Sequence, residues 1–358
     1  MKSKIIFLCN ESDLTRERKG YYNALKSLGY EIIFVQTSEN CEISKPEDYN
    51  FILLSDTQTL LPKNLMDLHI PIIGFHIDTF LSTKRRIKIS ELFDYTIVFH
   101  PQYENIFKRN GITHTHLLPH AVEKSLFIES SGKRIYDLGW VGSINGWQYK
   151  KRKKIVEILK DKYKMNEPSR NYSYSELTEI YKSSKLAVNI SRDDYLVDAN
   201  LRCFEIMASG ALLLTMRPTE LEFIGFKEGQ HFVAFKNISE LINKIEFYLA
   251  NDEERTRITQ AAKKSILTDH TYINRCEYLI KIIDNKKILK RAREINKDKL
   301  YLNYINFYSF YWMLDEAKQY YDKINIYSLY KIIGLYKIIK YKSLKIFFKL
   351  NKIIMDQS

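Results

Sequence analysis

Glycine and proline are scarce in this chain, 12 and 7 among 358 residues. With 45% hydrophobic residues alongside, that composition excludes a Gly/Pro-rich low-complexity polymer and points to compact globular domains. Cysteine is equally sparse: Cys9, Cys41, Cys203 and Cys276 stand far apart, with no C-x-x-C pair and no Cys/His cluster. A disulfide-stapled scaffold and a zinc ribbon are thereby set aside, and reduced thiols in a cytosolic protein are expected. No stretch reaches 18 apolar residues without a charge, so a transmembrane helix is not expected. The apolar run at residues 5–8 is too short for a signal-peptide core, and no small-residue cleavage site follows it. Neither G-x-x-x-x-G-K-[ST] nor G-x-G-x-x-G occurs, which argues against a P-loop and against an NAD-type fingerprint. Acids are short in one region only. Residues 281–358 hold 17 Lys/Arg against 7 Asp/Glu, so +10 of the net +13 lies in the tail.

What is present is an alternation of strand and helix. Apolar β-rich runs at 5–9, 31–36, 51–54, 70–75 and 95–99 are separated by polar or helical connections, the first a helix over 15–28 stopped by Gly29. That is the opening of a doubly wound parallel sheet. Residues 128–134 read as a linker. A second unit begins at Tyr136, where a strand runs through Gly142 and Ser143 into a basic helix starting at Lys150. Free backbone N–H groups and the positive end of a helix dipole make such a junction an anion cradle, and Arg152 could add a bidentate donor. The lysines at 150–154 otherwise read as a solvated face. A helix from Tyr174, capped by Ser175, leads to a central strand near 186–190. A helix-period segment from Asn200 to Ser209 follows, then Gly210 and a second apolar run to Thr215. In open parallel sheets ligands sit at strand C-termini, so Arg192, Asp193, Asp194, Asp198, Asn200, Arg202 and Glu205 are candidate ligand groups. An ordinary βαβ unit with a capped helix would show the same local pattern. Two metal readings exist and neither is expected: the acidic pair Asp193-Asp194 comes late, ahead of the Glu205 helix and amid two βα units, and the imidazole set His114, His116 and His120 has no suitably spaced carboxylate or Cys.

The run from Arg202 through Glu205 to Gly210 and Thr215 resembles the donor-site helix of GT-B glycosyltransferases, nearest the spore-maturation (CgeB-like) branch and the family 4 enzymes. The resemblance implies that Glu205 holds ribose hydroxyls of a nucleotide-sugar. A carboxylate is an acceptor-only group suited to a vicinal diol. Family 4 enzymes often carry a second Glu eight residues earlier; here Val197 stands there, beside Asp198. The segment around His76 and Asp78 resembles the acceptor-facing histidine segment of the same enzymes. Leu117-Leu-Pro-His120-Ala-Val resembles the close of their first domain, with His120-Ala121 replacing Asn-Gly. The Gly142-Ser143 loop resembles their diphosphate loop, and His270-Thr-Tyr272-Ile-Asn-Arg275 resembles the string that ends the CgeB-like domain. These matches run in order over roughly residues 85–285.

Beyond 285 the resemblance fades. A Tyr-rich stretch over 301–324 includes one helix like the second of a tetratricopeptide hairpin, which must dock on the enzyme or on a partner. From Lys323 to Lys352 there are eight lysines and no acid. On a helical wheel Lys331, Lys342, Lys345, Lys349 and Lys352 fall on one side and Ile332, Tyr336, Ile339, Phe347, Leu350 and Ile354 on the other. That is either an interfacial helix on anionic lipid or a packed helix with a solvated lysine face.

The expected architecture is α/β, two doubly wound Rossmann-like domains in a GT-B arrangement with a helical extension. The boundaries are 1–127 (acceptor side), 128–134 (linker), 135–285 (nucleotide-sugar side) and 286–358 (basic tail). The expected activity is glycosyl transfer from a nucleotide-sugar to a glycan or lipid-linked acceptor, retaining, without metal or other cofactor and without nucleic acid. Expected catalytic residues are His76, Asp78 and Arg202; donor binding falls to Gly142, Ser143, Arg152, Arg192, Asn200, Arg202, Glu205 and Gly210. The expected location is the cytoplasm, with residues 323–354 tying the enzyme to the inner membrane face if they are interfacial. Two alternatives remain open, a nucleotide-sugar epimerase of similar build and a non-catalytic basic scaffold or nucleic-acid-binding protein.

Overall fold

A computed structural model describes the chain except residues 1–2, 10, 15, 37–40, 56–60, 63, 129–132, 196, 198, 285–296, 311–313, 326 and 356–358. Asp198 and much of the expected linker therefore lie outside the described residues.

The first domain contains β1 (Lys4–Leu8), α1 (Arg16–Ser27), β2 (Glu31–Phe34), β3 (Phe51–Ser55), β4 (Ile72–His76), α2 (Thr83–Ser90), β5 (Tyr95–Val98), α3 (Pro101–Arg109) and β6 (Thr115–Leu117). These strands form one parallel sheet in the order β2-β1-β3-β4-β5-β6, in register through Ile5↔Ile32, Ile6↔Ile52 and Leu53↔Ile73. The strands are apolar at successive residues because both faces are covered, as parallel sheets require. Ile5, Phe7, Phe51 and Leu53 face one layer, and Ile6, Leu8, Ile52 and Leu54 the other.

The second domain follows with α4 (Ser125–Ile128), β7 (Tyr136–Gly139), α5 (Lys150–Lys162), α6 (Tyr174–Lys182), β8 (Ser184–Asn189), α7 (Leu201–Ser209), β9 (Leu212–Met216), β10 (Val233–Phe235), α8 (Ile238–Ala250) and α9 (Asp252–Asp269). Its sheet is also parallel, in the order β10-β9-β8-β7. One face packs on α5 and α8 through Leu159, Leu241 and Ile245, the other on α6, α7 and α9 through Tyr181, Phe204 and Ile266. The cap of α6 is Ser173, not Ser175: Ser173 Oγ accepts from the Glu176 amide while the Glu176 carboxylate accepts from the Ser173 amide, a reciprocal capping box.

The chain then returns to the first domain, which moves the expected boundary at 285. Helix α10 (Tyr272–Asp284) lays Tyr272, Cys276, Leu279 and Ile283 on the β1/β3 face beside α1. Gly20, in the middle of α1, sits directly under the Tyr272 ring, where any Cβ would collide. The two crossings between domains run side by side: Val122 donates to His270 O at 3.0 Å and Tyr272 to Val122 O at 3.1 Å. Arg275, from the family-like string, binds this crossing together by donating to the carbonyls of Pro119, His120 and Asp269.

Helices α11 (Lys297–Phe310) and α12 (Leu314–Lys323) dock on the opposite face of the first sheet, so the hairpin-like unit finds its cover on the first domain. Tyr304 and Tyr320 stack at 4.2 Å with Tyr308 beside them, and Tyr308 OH donates to Leu61 O at 2.9 Å. Such aromatic pairs contribute about 0.5–1.5 kcal/mol each beyond their buried area. Helix α13 (Leu329–Met355) lies over α11 and α12 through Tyr330, Gly334 and Ile338. Lys331, assigned by the wheel to a solvated face, instead donates to the carbonyls of Tyr321 (2.7 Å) and Ile324 (3.3 Å) at the end of α12.

Candidate functional site

The C-terminal ends of both sheets meet at a cleft of about 660 Å³. On the second-domain side, three strand ends are tied together by two residues, Asn189 and Arg202. Asn189, at the end of β8, donates to Thr215 Oγ1 of β9 (3.1 Å) and accepts from Asn200 (3.0 Å) and from Arg202 Nη1 (2.8 Å). Arg202 Nε donates to Val141 O after β7 (2.8 Å), and its guanidinium lies 4.8 Å from the Trp140 ring centre. Gly142 has no space for a side chain because Arg202 Nη2 stands where a Cβ would be. The Gly142 signal in the sequence is thus a close approach between loop and arginine.

Arg152 is 3% exposed, and its guanidinium sits 4.4 Å from the Tyr149 ring centre. It donates to Ile190 O and Ser143 O, both at 3.0 Å, and so holds the loop after β7 against the end of β8. Arg192 forms a fork with Asp194, two bonds of 2.7 Å, and lies over Phe80 of the first domain. Phe80 stacks on Tyr195 at 4.3 Å. Asp193 accepts from the Lys151 amide at the start of α5 (3.2 Å). The two acids that invited a metal reading therefore serve a helix end and an arginine. Among the described residues no three His, Cys, Asp or Glu side chains converge on a metal position.

Glu205 is 1% exposed and lines the cleft from α7. Burial pushes its carboxyl up to about 7, opposed chiefly by Arg16, whose Nη1 lies 2.9 and 3.3 Å from the two carboxylate oxygens. Arg16 comes from the first turn of α1, in the other domain, and faces the Tyr174 ring. A second cross-domain cluster lies behind His100 of the cleft lining: His100 Nδ1 is 2.7 Å from Glu220 Oε2, Tyr195 OH donates to Glu220 Oε1 (3.2 Å), and Gln102 donates to Tyr195 OH (2.8 Å).

Of the expected site residues, the structure brings Asp78, Gly142, Arg152, Arg192, Asn200, Arg202 and Glu205 to the cleft. Three others stand elsewhere. Gly210 ends α7 with φ +76° and gives its carbonyl to Arg134 at 2.7 Å. A nine-residue helix puts that end about 13 Å from Asn200, and its role is to cap. Ser143 supplies its carbonyl to Arg152, while its hydroxyl faces outward with Asn145 O at 3.4 Å. His76 lies behind the cleft wall. Its ring is 1% exposed among Phe93 and Phe107, with Nε2 2.8 Å from Ser90 Oγ and Nδ1 3.3 Å from Arg86 Nη1. Burial, with Arg86 and Arg85 adding to it, holds the imidazole well below its ordinary pKa, so it stays neutral and positions Arg86, which lines the cleft. His76→Ala should then lower stability by about 2–5 kcal/mol through a cavity and lost hydrogen bonds. Urea titration checks this; a large fall in kcat at an unchanged unfolding midpoint would contradict it.

The groups sequence reasoning did not single out are Arg16, Arg86, His100 and Glu220. Arg16 had a signal available, since it opens the helix after β1, next to the point where strand order reverses between β1 and β3. The histidine facing the cleft in the first domain is His100 or His120, not His76. In total six arginines line the cleft against Glu17, Asp78 and Glu205, an excess suited to a polyanionic ligand.

Two parallel α/β domains facing each other across a cleft at their strand C-termini constitute the GT-B fold. Residues 124–281 match the "Glycosyl transferase-like" family model. Among solved structures, a glycosyltransferase from Rickettsia africae superposes with TM-score 0.57 at 11% identity, covering 81% of this chain and 99% of that one. Sucrose-phosphate synthase from Thermosynechococcus elongatus gives 0.56 at 12%, covering 79% and 100%. HepE from Anabaena, solved in complex with UDP and glucose, gives 0.54 at 12%, covering 79% and 100%. No curated protein sequence matches. The structural likenesses establish the GT-B fold, and the second domain within it matches the glycosyl transferase-like family over residues 124–281.

Proposed function

We propose that this enzyme transfers a sugar from a nucleotide-sugar to a glycan or lipid-linked acceptor, with retention and without a metal. The observation that carries the reading is the donor-side constellation: buried Glu205 three residues beyond Arg202 on α7, with Arg152 beside them at the ends of β7 and β8. Glu205 accepts from the ribose hydroxyls. Arg202 and Arg152, with the N-termini of α5 and α7, face the diphosphate, where negative charge grows as the glycosidic bond breaks; fixed positive groups there stabilise the transition state without reorganisation. That HepE was solved with UDP and glucose in the same fold supports a nucleotide-sugar donor. Asp78, His100 and His120 line the acceptor side and would orient the attacking hydroxyl. Retention rests on the resemblance to family 4 enzymes, and metal independence on the concentration of positive charge at the leaving group. Dispersed cysteines, three of them buried, fit the reducing cytoplasm where nucleotide-sugars are made.

The test is a thermal-shift screen against UDP, GDP, ADP and CDP and their sugar conjugates. One series should raise the melting temperature, since a ligand at a hundred times its Kd stabilises by about 2.7 kcal/mol. Release of the diphosphate in the presence of EDTA, and the anomer formed first by proton NMR, read metal dependence and stereochemistry. Conversion of the donor to an epimer, with no sugar transferred, would replace this reading by the epimerase one. No shift with any nucleotide would refute both.

A further inference from the structure

Over its described side chains, helix α13 packs with one side. Tyr330, Gly334 and Ile338 meet α11 and α12, while Leu329, Ile332, Tyr336 and Ile339, at helical spacing, are 68%, 69%, 61% and 54% exposed, with Leu335 beside them at 44% and Tyr327 at 95%. An apolar stripe of this length on a globular surface marks an interaction site. The charge around it is of one sign. Lys340, Lys342 and Lys345 are exposed along the same helix, and residues 323–352 contain no acid. Across from α13, helix α2 of the first domain adds Lys84, Arg85 and Lys88, and residues 79–90 contain no acid either. Between α2 and α13 lies a pocket of about 400 Å³ lined by Lys84, Arg85, Lys88, Lys337 and Tyr341. Lys337 is held below its ordinary pKa by partial burial and by Lys88 and Lys340, as expected where cations are crowded together. Crowding of this kind costs stability in the free protein and is relieved by an anion.

We infer that the α2–α13 face docks on an anionic phospholipid surface, with the α13 stripe in the headgroup–acyl boundary and a lipid phosphate in the Lys84/Lys88/Lys337 pocket. An apolar stripe flanked by lysines is the pattern of an interfacial helix, and each lysine near an anionic leaflet adds to binding. No described helix is long and apolar enough to cross a membrane, so the contact is with the surface. The position also has a consequence for the cleft. The turn before α2 faces both ways: Phe80 and Leu81 line the main cleft, and Ser82 and Thr83 line the basic pocket. Docking would thus present the acceptor side of the cleft to the lipid surface. The inference stands on α2 and α13 and does not rest on the donor assignment.

The test is flotation of the full chain, without nucleotide, on vesicles of phosphatidylglycerol in phosphatidylcholine and on phosphatidylcholine alone. Binding is expected on the anionic vesicles only and should weaken with added salt. Combined Lys84→Glu, Lys88→Glu and Lys337→Glu substitutions should lower the partition coefficient at least tenfold, since several lysines each add to the electrostatic term. Combined Ile332→Ser, Tyr336→Ser and Ile339→Ser should do the same by removing the inserted stripe. All six positions lie outside the cleft, so both variants should keep the melting temperature and any nucleotide-induced shift of the parent. Absence of flotation, equal binding to phosphatidylcholine alone, or undiminished binding by the charge-reversed variant would overturn the inference. So would light scattering that shows a dimer dissociated by the serine variant, which would make the stripe an interface between two copies.

Discussion

Arg202→Ala should lower kcat/KM for donor turnover by about 10²–10³-fold, the range seen when one preorganised donor to a developing anion is removed. Nucleoside diphosphate released from the nucleotide-sugar, with or without acceptor, is the readout. The expectation follows from how the guanidinium is held. Nε is committed to Val141 O and Nη1 to Asn189 Oδ1, and the plane rests on Trp140, so Nη2 is aimed past Gly142 into the cleft without rotamer freedom to lose. Arg202→Lys keeps the charge but cannot fill three directions with one ammonium, and should recover less than about a tenth of the lost rate. Loss of the two structural bonds should cost only about 1–3 kcal/mol in stability, which a urea titration separates from the kinetic effect. If the lysine variant turns over donor at the parental rate, the diphosphate is bound elsewhere.

The arginine shows what a sequence can and cannot reveal. That a helix begins near Asn200, carries Arg202 and Glu205, and follows a strand end was legible from the change of period between 186 and 209, and the resemblance gave those residues a chemistry. That Asn189 unites Arg202, Asn200 and Thr215 was not legible, because three strand ends meet there only after the sheet forms. His76 failed for a related reason. Strand β4 is buried on both faces, so its apolar run carries no alternation to say which side its last residue takes. Gly210 was recognisable as a helix stop, and a stop needs no ligand to explain it. The boundary at 285 failed because the apolar period of 272–284 specifies that α10 has a covered face without specifying which sheet covers it; Gly20 under Tyr272 answers that, and only in three dimensions. For α13 the wheel grouped Lys331 with the solvated lysines, yet packing drew it onto the end of α12, beside Gly334, which leaves room for the Ile305 and Tyr321 side chains; the wheel positions from Phe347 onward have side chains outside the described ones.

The pairing of Glu205 with Arg16 leads to a second large effect, one with a definite pH window. Glu205 is raised to about 7 by burial, so it is mostly protonated at pH 6 and mostly ionised at pH 8. Only the ionised form is acceptor-only toward two ribose hydroxyls. Affinity for the intact nucleotide-sugar, whose diphosphate diester does not titrate here, should therefore weaken by up to about tenfold from pH 8 to pH 6. Glu205→Gln should bind about 1–3 kcal/mol more weakly at pH 8 and show little of this pH dependence. Stability should move the other way. A carboxyl whose folded pKa lies above its unfolded one binds its proton more tightly when folded, so stability is lost as pH rises from about 4.5 through about 7. Glu205→Gln removes that loss, and Arg16, 42% exposed, can be rehydrated when its partner goes. The unliganded variant should thus be at least as stable as the parent at pH 8, by up to about 3 kcal/mol, while binding donor poorly. Such an opposition is characteristic of a buried charge kept for a ligand. Calorimetry across pH 6 to 8, together with denaturant midpoints for both proteins, decides the matter: a glutamine variant that loses stability at pH 8 and binds donor like the parent would make Glu205 a structural partner of Arg16.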